Sequence, residues 1–320
     1  MEKMACAYFF QPYLKSVIWG GSRLPELKGA SADNAIGESW ELSPMEGHVS
    51  VVSIGAEAGT DLRELVNRHG ARLLGDRVFA RYGANFPLLV KFIDARQNLS
   101  VQVHPGDEHA LREHGAQGKT EMWYVIDHEP NAEIYAGLTR PLAADDFENM
   151  ATNGNIMDAV KTYPTHRGDA FFIPAGTVHS IGAGNFLLEV QQPSDITYRI
   201  YDFGRRDDKG RERELHLNHA RKAVDFSAPL TAPIAYDRET DESVIVDCDF
   251  FSVRKVDVDG IRKISPADGS FIVAVCVAGE CKFTIDGEDA HLPFGHSMLI
   301  PASSSAITAF GRGTLILINS

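Results

Sequence analysis

The sequence has no long apolar run and only four cysteines, and these two shortages exclude several classes of protein. No apolar stretch approaches the roughly 20 residues that a membrane-spanning helix needs. The opening residues, MEKMACAYFF, are too short and too mixed for a signal peptide. Because the cysteines form no C-x-x-C pair, neither a disulfide framework nor a zinc ribbon is expected. We therefore expect a soluble, cytoplasmic protein with reduced thiols.

Basic residues are also in the minority, with 31 Lys and Arg against 44 Asp and Glu and a net charge of −13. The basic patch typical of a nucleic-acid-binding protein is not visible. Hydrophobic residues make up 44% and charged residues 23%, which is ordinary for a globular protein. We expect neither a nucleic-acid partner nor a membrane, and the sequence leaves monomer and homodimer open. An anionic substrate would need a local cluster of Lys or Arg.

Short segments with strand character, bounded by Gly, Pro and Asp, dominate the chain. They lie at 49–54, 88–93, 99–104, 121–126, 170–174, 185–191 and 197–202. Helical spacing is limited to insertions at about 60–76 and 145–161 and to shorter stretches at 107–113 and 214–224. The pattern predicts a mainly β fold, a barrel with helical insertions.

An internal repeat predicts two related barrels. Residues 120–137, TEMWYVIDHEPNAEIYAG, and residues 270–287, SFIVAVCVAGECKFTIDG, both have a strand–turn–strand pattern. Farther along, GDAFFIPAG at 168–176 matches GHSMLIPAS at 295–303. Pro229 and Pro233 lie in a polar stretch within 228–241, which is typical of a linker. We predict a catalytic domain at 1–236 and a second domain at 237–320.

Alternation along two predicted strands brings possible metal ligands to one face. In LSVQVHP, a period of two places Ser100, Gln102 and His104 together. Glu121 begins the strand EMWYVI, and His179 follows the turn PAGT. If these strands line one barrel, two imidazoles, a carboxylate and an amide converge inside it. This set contains no sulfur and leaves a coordination position open, which suits a catalytic Zn²⁺ or a similar divalent ion.

The second copy of the repeat has no equivalent ligands. The residues that align with the four candidates are Arg254, Val256, Phe271 and Ala306. The repeat therefore predicts one site in the first barrel and a degenerate second barrel.

Four blocks carry a resemblance to a known family: NLSVQVHP, GKTEMWY, GDAFFIPAGTVHSIG and LLEVQQPSDITYRIYDFGR. They resemble the type I mannose-6-phosphate isomerases of the cupin superfamily, in their short bacterial form. The resemblance runs over nearly the whole chain and implies two cupin (jelly-roll) barrels, the second one degenerate. It also implies one Zn²⁺ per chain at Gln102, His104, Glu121 and His179. Gln102 stands where many cupins have a histidine, and its direct ligation or ligation through water stays open.

The resemblance implies the interconversion of mannose 6-phosphate and fructose 6-phosphate through a cis-enediol, with a divalent metal polarising O1 and O2. It also marks Lys119 and Arg199 as cations of the site. Arg199 would stabilise the enediolate or hold the phosphate. Lys119, which shares a strand face with Glu121, would carry the proton or bind the phosphate. Ser100 is a further candidate for contact with the phosphate.

Two alternatives remain open at this stage. A metal cupin of different chemistry, such as an iron-dependent dioxygenase, usually has His-rich ligands, and Gln102 counts against it. A non-catalytic sugar-binding or regulatory cupin would keep the fold and even the metal. Such a protein would not need Lys119, Glu121 and Arg199 together. The ligands do not distinguish Zn²⁺ from Mn²⁺ or Co²⁺.

Overall fold

The computed structural model describes residues 4–31, 35–206, 209–228, 231–267 and 269–320. Strands account for 41% and helices for 17% of the chain, which confirms the predicted mainly β fold. The strands are β1 (Phe10–Gln11), β2 (Tyr13–Gly21), β3 (Ile36–Leu42), β4 (Val51–Val52), β5 (Leu89–Asp94), β6 (Val101–Val103), β7 (Glu121–His128), β8 (Glu133–Leu138), β9 (Val160–Pro164), β10 (Ala170–Ile173), β11 (His179–Ile181), β12 (Asn185–Gln191), β13 (Tyr198–Tyr201), β14 (Glu242–Asp247), β15 (Ser252–Ile264), β16 (Ile272–Ile285), β17 (Glu288–Pro293), β18 (Ser297–Ile300) and β19 (Ile307–Asn319). The helices are α1 (Arg23–Lys28), α2 (Leu62–His69), α3 (Ala71–Leu74), α4 (Asp76–Tyr82), α5 (Asp107–His114), α6 (Ala144–Thr152) and α7 (Leu217–Ala223), with a 3₁₀ helix at Ile156–Ala159.

One compact unit comprises Leu14–Ser39 and Lys91–Ile234 and contains two sheets. Their strand orders are β10-β7-β12-β5-β3-β2 and β13-β6-β11-β8-β9. The inward side chains of both sheets form a single apolar cluster, in which Trp123 of β7 and Leu187 of β12 join Ile181 of β11. The two sheets therefore pack face to face around a shared interior, as in a jelly roll.

Helices cover the outer face of the five-stranded sheet. Val103 and Ile200 on that face are buried in one apolar cluster with Phe147 of α6 and Ala220 of α7. The helical insertion predicted at 145–161 corresponds to α6 and the 3₁₀ helix, and β9 begins before its predicted end. Since these helices bury the outer side chains of β6 and β13, alternation leaves the remaining side chains of both strands to the interior.

The helical insertion predicted at about 60–76 consists of short helices separated by glycines. Helix α2 begins after Asp61, whose side chain accepts a hydrogen bond from the Glu64 N–H over 2.8 Å and so caps the helix. Gly70 and Gly75 have φ angles of 51° and 90°, which no α-helix adopts, so α2, α3 and α4 are separate. The segment is helical throughout, but the chain turns at each glycine.

A second compact unit comprises Met1–Tyr13, Trp40–Val90 and Ala235–Ser320. Its main sheet has the order β14-β15-β19-β16-β17, with β18 paired to β16. The strand–turn–strand pattern predicted for 270–287 is wrong, because β16 runs through that segment as one strand with an irregularity after Cys276. A Cβ at Gly279 would lie 2.1 Å from the Arg312 carbonyl oxygen, so the glycine permits a close approach to β19 where a turn was expected.

The interior of this second sheet is apolar, and Val256 and Phe271, which align with candidate ligands of the first barrel, are both buried. The predicted linker contains Pro229, which lies outside the described residues. The division into 1–236 and 237–320 stays a prediction.

All four cysteines carry free thiols. Among the described residues, no helix is both long enough and apolar enough to cross a bilayer.

Candidate metal centre

His104, Glu121 and His179 meet inside the first unit, as the alternation of the strands predicted. His104 follows β6, Glu121 begins β7 and His179 begins β11, and all three are buried. The two Nε2 atoms lie 3.2 Å apart. Glu121 Oε1 lies 3.4 Å from His179 Nε2, and Glu121 Oε2 lies 3.5 Å from His104 Nε2. Within the part of the chain that the structure describes, this is the one group of His, Cys, Asp and Glu side chains with ligand atoms close enough to share a metal ion.

Backbone carbonyls fix both imidazoles with Nε2 directed into the cluster. Nδ1 of His104 donates to the Ile196 carbonyl oxygen over 2.8 Å, and Nδ1 of His179 donates to that of Thr177 over 2.8 Å. Because a carbonyl can only accept, the proton is assigned to Nδ1, and Nε2 keeps its lone pair. Hydrogen bonds of this kind orient most metal-binding histidines.

The electrostatic surroundings keep the two histidines neutral. Burial lowers the pKa of His104 well below its usual value, and the charge of Lys119 lowers it further. Burial also lowers the pKa of His179 to about 4. Both rings are therefore uncharged near neutral pH and available as metal ligands.

Glu121 is a buried carboxylate without a hydrogen-bond donor on either oxygen. Lys119 Nζ lies 2.9 Å from Oε2, close enough for an ion pair but without the geometry of a hydrogen bond. Burial and the neighbouring Glu189 raise the pKa of Glu121 to about 8. The charge of Lys119 offsets these effects only in part, so a metal cation bound here would favour the ionised carboxylate further.

The donor set and its spacing fit a divalent metal. Two imidazole nitrogens and a carboxylate oxygen are typical ligands of a catalytic zinc, which keeps a further position open. Ligand atoms about 2.1 Å from a tetrahedral zinc lie roughly 3.4 Å from one another. The two Nε2 atoms are 3.2 Å apart, and the Glu121 oxygen nearest to each of them, Oε1 for His179 and Oε2 for His104, lies at 3.4 and 3.5 Å, so the carboxylate is within ligand range of both imidazoles.

Gln102 and Ser100 lie beside the cluster. Gln102 Nε2 is 3.3 Å from His179 Nε2, and its Oε1 accepts a hydrogen bond of 3.2 Å from the Ser100 hydroxyl. The amide thus presents its nitrogen to the cluster, as the hydrogen-bond network assigns it. A rotation of the amide by 180° would present its oxygen instead. Ser100 is buried, so its hydroxyl belongs to the interior of the site.

The two predicted cations are placed differently. Lys119 is buried among the ligands, with Nζ 3.1 Å from His104 Nε2 and 2.9 Å from Glu121 Oε2. Arg199 is directly opposite Gln102 in the sheet, but its Nη1 donates to the Glu214 carbonyl oxygen over 2.7 Å. Its buried Nε has no hydrogen-bond partner. Lys119 therefore contacts the cluster, whereas Arg199 lies in the neighbouring strand.

A chain of buried charges extends from the cluster across the six-stranded sheet, and the sequence prediction missed it. Glu189 Oε1 lies 3.9 Å from Lys119 Nζ, and Glu189 Oε2 lies 2.7 Å from Lys91 Nζ. Lys91 Nζ in turn lies 3.6 Å from Glu38 Oε2. Burial opposes the charge of Glu189, but the two lysines hold its pKa well below the usual range. Burial likewise opposes the charge of Lys91, but Glu189 and Glu38 raise its pKa.

The sequence contains a signal for these residues. Glu189 and Lys91 are single charges within the apolar runs NFLLEVQ and LLVKFI. A charged residue inside a strand that is apolar on both faces is buried only when it is paired. Two such strands that carry opposite charges mark candidates for a buried ion pair, and the strand order then decides which residues pair.

Comparisons with known proteins found relatives over most of the chain. Residues 8–158 match the family model for the catalytic domain of type I phosphomannose isomerase, and residues 241–320 match that for the cupin domain of mannose-6-phosphate isomerase. The chain is 36% identical to a mannose-6-phosphate isomerase of Streptococcus mutans, over 93% of each chain. It is also 36% identical to the mannose-6-phosphate isomerase ManA of Bacillus subtilis, over 92% of each. A crystal structure of the mannose 6-phosphate isomerase from Bacillus subtilis superposes with a TM-score of 0.89 at 31% identity, covering 98% of this chain and 99% of that one.

Proposed function

Because the chain belongs to the family of type I mannose-6-phosphate isomerases, we propose that it interconverts mannose 6-phosphate and fructose 6-phosphate at the His104, Glu121 and His179 cluster. The observation that supports this site best is the convergence of two Nε2 lone pairs and a carboxylate without donors beside Lys119. Such a site can bind a metal and also carries a cation next to it. A cis-enediol is the proposed intermediate.

One Zn²⁺ per chain is the proposed cofactor, with Gln102 as the candidate fourth ligand, directly or through water. Bound there, the ion would act as a Lewis acid on the sugar oxygens that become charged in the enediolate. The donor set supports zinc, and Mn²⁺ and Co²⁺ are the alternatives to be compared by reconstitution.

Lys119 is the proposed proton carrier. The reaction removes a proton from C2 of the open-chain aldose and returns it to C1, so one group must face both carbons. Lys119 Nζ lies 2.9 Å from Glu121 and 3.1 Å from His104, beside the atoms that would hold the metal ion. From this place the Lys119 amine would take the proton from C2 and return it to C1. The same position makes Lys119 a less suitable phosphate ligand than Arg199.

Arg199 would hold the phosphate or stabilise the enediolate, with Ser100 as a further polar contact for the substrate. Arg199 is half-buried and its guanidinium is anchored on one side by the Glu214 carbonyl oxygen. An anchored, planar cation suits the binding of an oxyanion.

A coupled assay of mannose 6-phosphate turnover tests the function. Protein stripped by a chelator is expected to be inactive and to regain activity with one equivalent of Zn²⁺. Sugar phosphate binding without turnover at any metal loading would instead indicate a non-catalytic sugar-binding or regulatory cupin. Full activity after complete metal removal would refute the metal site.

The cytoplasm is the proposed location, since four free thiols suit a reducing compartment.

A further inference from the structure

One buried tryptophan connects a proposed metal ligand with the carboxylate that the sequence prediction missed. Trp123 is fully buried on β7, two residues after Glu121. Its indole N–H donates to Glu189 Oε1 over 3.2 Å. Its ring lies edge-on to the His179 imidazole, with the centroids 5.4 Å apart and the planes at 68°. A single side chain thus contacts both groups.

The strand register produces these contacts. Trp123 lies directly opposite Glu189 on β12 and directly opposite Phe171 on β10. Directly opposite residues project to the same face of a sheet. Phe171 and Val125 belong to the apolar cluster of the interior, and Trp123 lies where this cluster meets the charged residues. An indole suits that boundary, because it combines a large apolar ring with one donor.

We propose that Trp123 is a positioning residue of the isomerase, which fixes the Glu189 carboxylate through its N–H and packs the His179 ring. The inference rests on the proposed function, because Glu189 lies 3.9 Å from Lys119 Nζ, the proposed proton carrier, and would act on the site through it. Glu189 Oε2 pairs with Lys91 at 2.7 Å, while Oε1 takes the indole N–H and lies 3.9 Å from Lys119 Nζ. Without the N–H, the carboxylate can turn about its Lys91 contact and withdraw Oε1 from Lys119.

Trp123→Phe is the direct test, since it keeps an aromatic ring beside His179 and removes the N–H together with part of the buried ring volume, for which a packing control is needed. We expect kcat to fall roughly 10-fold or more, because hydrogen bonds to charged groups are stronger than neutral ones. KM for mannose 6-phosphate and the zinc content per chain should stay near the wild-type values. Unchanged kcat in a variant with normal zinc content would overturn the proposal.

A double-mutant cycle with Glu189→Ala separates an effect through Glu189 from an independent one. If Trp123 acts through this carboxylate, Trp123→Phe should lower kcat less than about twofold when Glu189 is already absent. If the two substitutions act independently, the double variant should lose kcat by the product of the two single losses, and that result would contradict the proposal. Thermal unfolding of all four proteins shows that each is folded at the assay temperature.

Phe171→Leu is the matched packing control. Phe171 is buried on the other side of Trp123, in the same apolar cluster, and has no part in the proposed chemistry. Its replacement loosens the packing without removing the N–H. We expect kcat within about threefold of wild type. A loss equal to that of Trp123→Phe would assign the effect to core packing and overturn the positioning role.

The hydrogen bond itself can be observed without activity. The chain has three tryptophans, so a ¹⁵N–¹H spectrum should contain three indole N–H resonances, of which Trp123→Phe removes one. That resonance should shift upfield in Glu189→Ala, and the other two should not. An unshifted resonance would refute the contact. A wild-type protein without isomerase activity would refute the proposed function, whereas an active wild type with an equally active Trp123→Phe variant would refute only this inference.

Discussion

Arg199 lies directly opposite Gln102 in the register of β13 and β6, and Gln102 lies opposite His179 in the register of β6 and β11. These residues form one row on the interior face, because opposite residues project to the same side. With neighbouring strands about 4.8 Å apart, the row places Arg199 roughly 10 Å from His179. This spacing supports the proposal that Arg199 contacts the part of a sugar phosphate that would extend away from a metal ion at the cluster.

Arg199→Ala should lower kcat/KM by about 100-fold or more, because a fixed cation is lost from the transition state or from the bound phosphate. Zinc content should remain at one per chain. A loss mainly in KM would assign the guanidinium to the phosphate, and a loss mainly in kcat would assign it to the enediolate. Arg206→Ala is the control, since Arg206 is exposed and paired with Glu212. Near-normal turnover of Arg199→Ala would refute both roles.

Glu121 should make the metal-free protein less stable as the pH rises. Burial and Glu189 raise its pKa to about 8, so the folded state binds more protons than the unfolded state between the ordinary value of 4.5 and 8. The stability that the raised pKa of Glu121 contributes is fully present below pH 4.5, and it is lost as the pH rises through about 8. The stability of the wild-type apoprotein relative to Glu121→Gln should therefore fall across this range.

Chemical denaturation of both apoproteins at several pH values measures this difference, since glutamine does not titrate. A relative loss of at least about 1.4 kcal/mol is expected, which corresponds to one pKa unit. Adding Zn²⁺ should stabilise the wild type and leave Glu121→Gln nearly unchanged. Glu108→Gln is the control, since this carboxylate is 97% exposed. A difference that does not vary with pH would contradict the assigned pKa.

Strand periodicity predicted that Gln102 and His104 share a face, whereas the convergence of His104, Glu121 and His179 also required their strands to line one interior. Gln102 alternates with Val101 and Val103 on β6, and this alternation alone directs it inward. The tautomers of the histidines could not be predicted in the same way. They depend on the carbonyl oxygens of Ile196 and Thr177, whose positions follow from loops.

The buried charges and β16 show where local patterns fail. Lys91 and Glu189 belong to adjacent strands that are distant in the sequence, so their pairing requires the strand order. In 270–287 the residues resemble a hairpin, but pairing with β19 along most of its length keeps β16 extended. In both cases the decisive partner is nonlocal, and a single strand does not reveal it.

Lys91→Met should destabilise the protein by about 3–5 kcal/mol, the usual cost of leaving a buried charge without its partner. Lys91 is buried between Glu189 and Glu38, so its loss removes the cation that lies between two buried carboxylates. Glu189 then keeps only the more distant Lys119, at 3.9 Å, and Glu38 keeps Lys15, at 3.3 Å. Urea unfolding measures the change, and Lys282→Met, at an exposed lysine, is the control. A change below about 1 kcal/mol would show that the charged chain contributes little to stability.

Gln102→Ala tests whether the amide completes the metal site. Its nitrogen faces His179 Nε2 at 3.3 Å and its oxygen accepts from Ser100, so only a turned amide would present oxygen to a metal. If Gln102 only contacts a metal ligand or binds the metal through water, its removal should weaken zinc affinity by about 10- to 100-fold. This is the effect typical of losing a hydrogen-bond partner of a metal ligand. Direct ligation predicts a larger loss, closer to that of His179→Ala. Competition with a chromogenic chelator measures all three proteins, and an affinity equal to wild type would exclude Gln102 from the metal site.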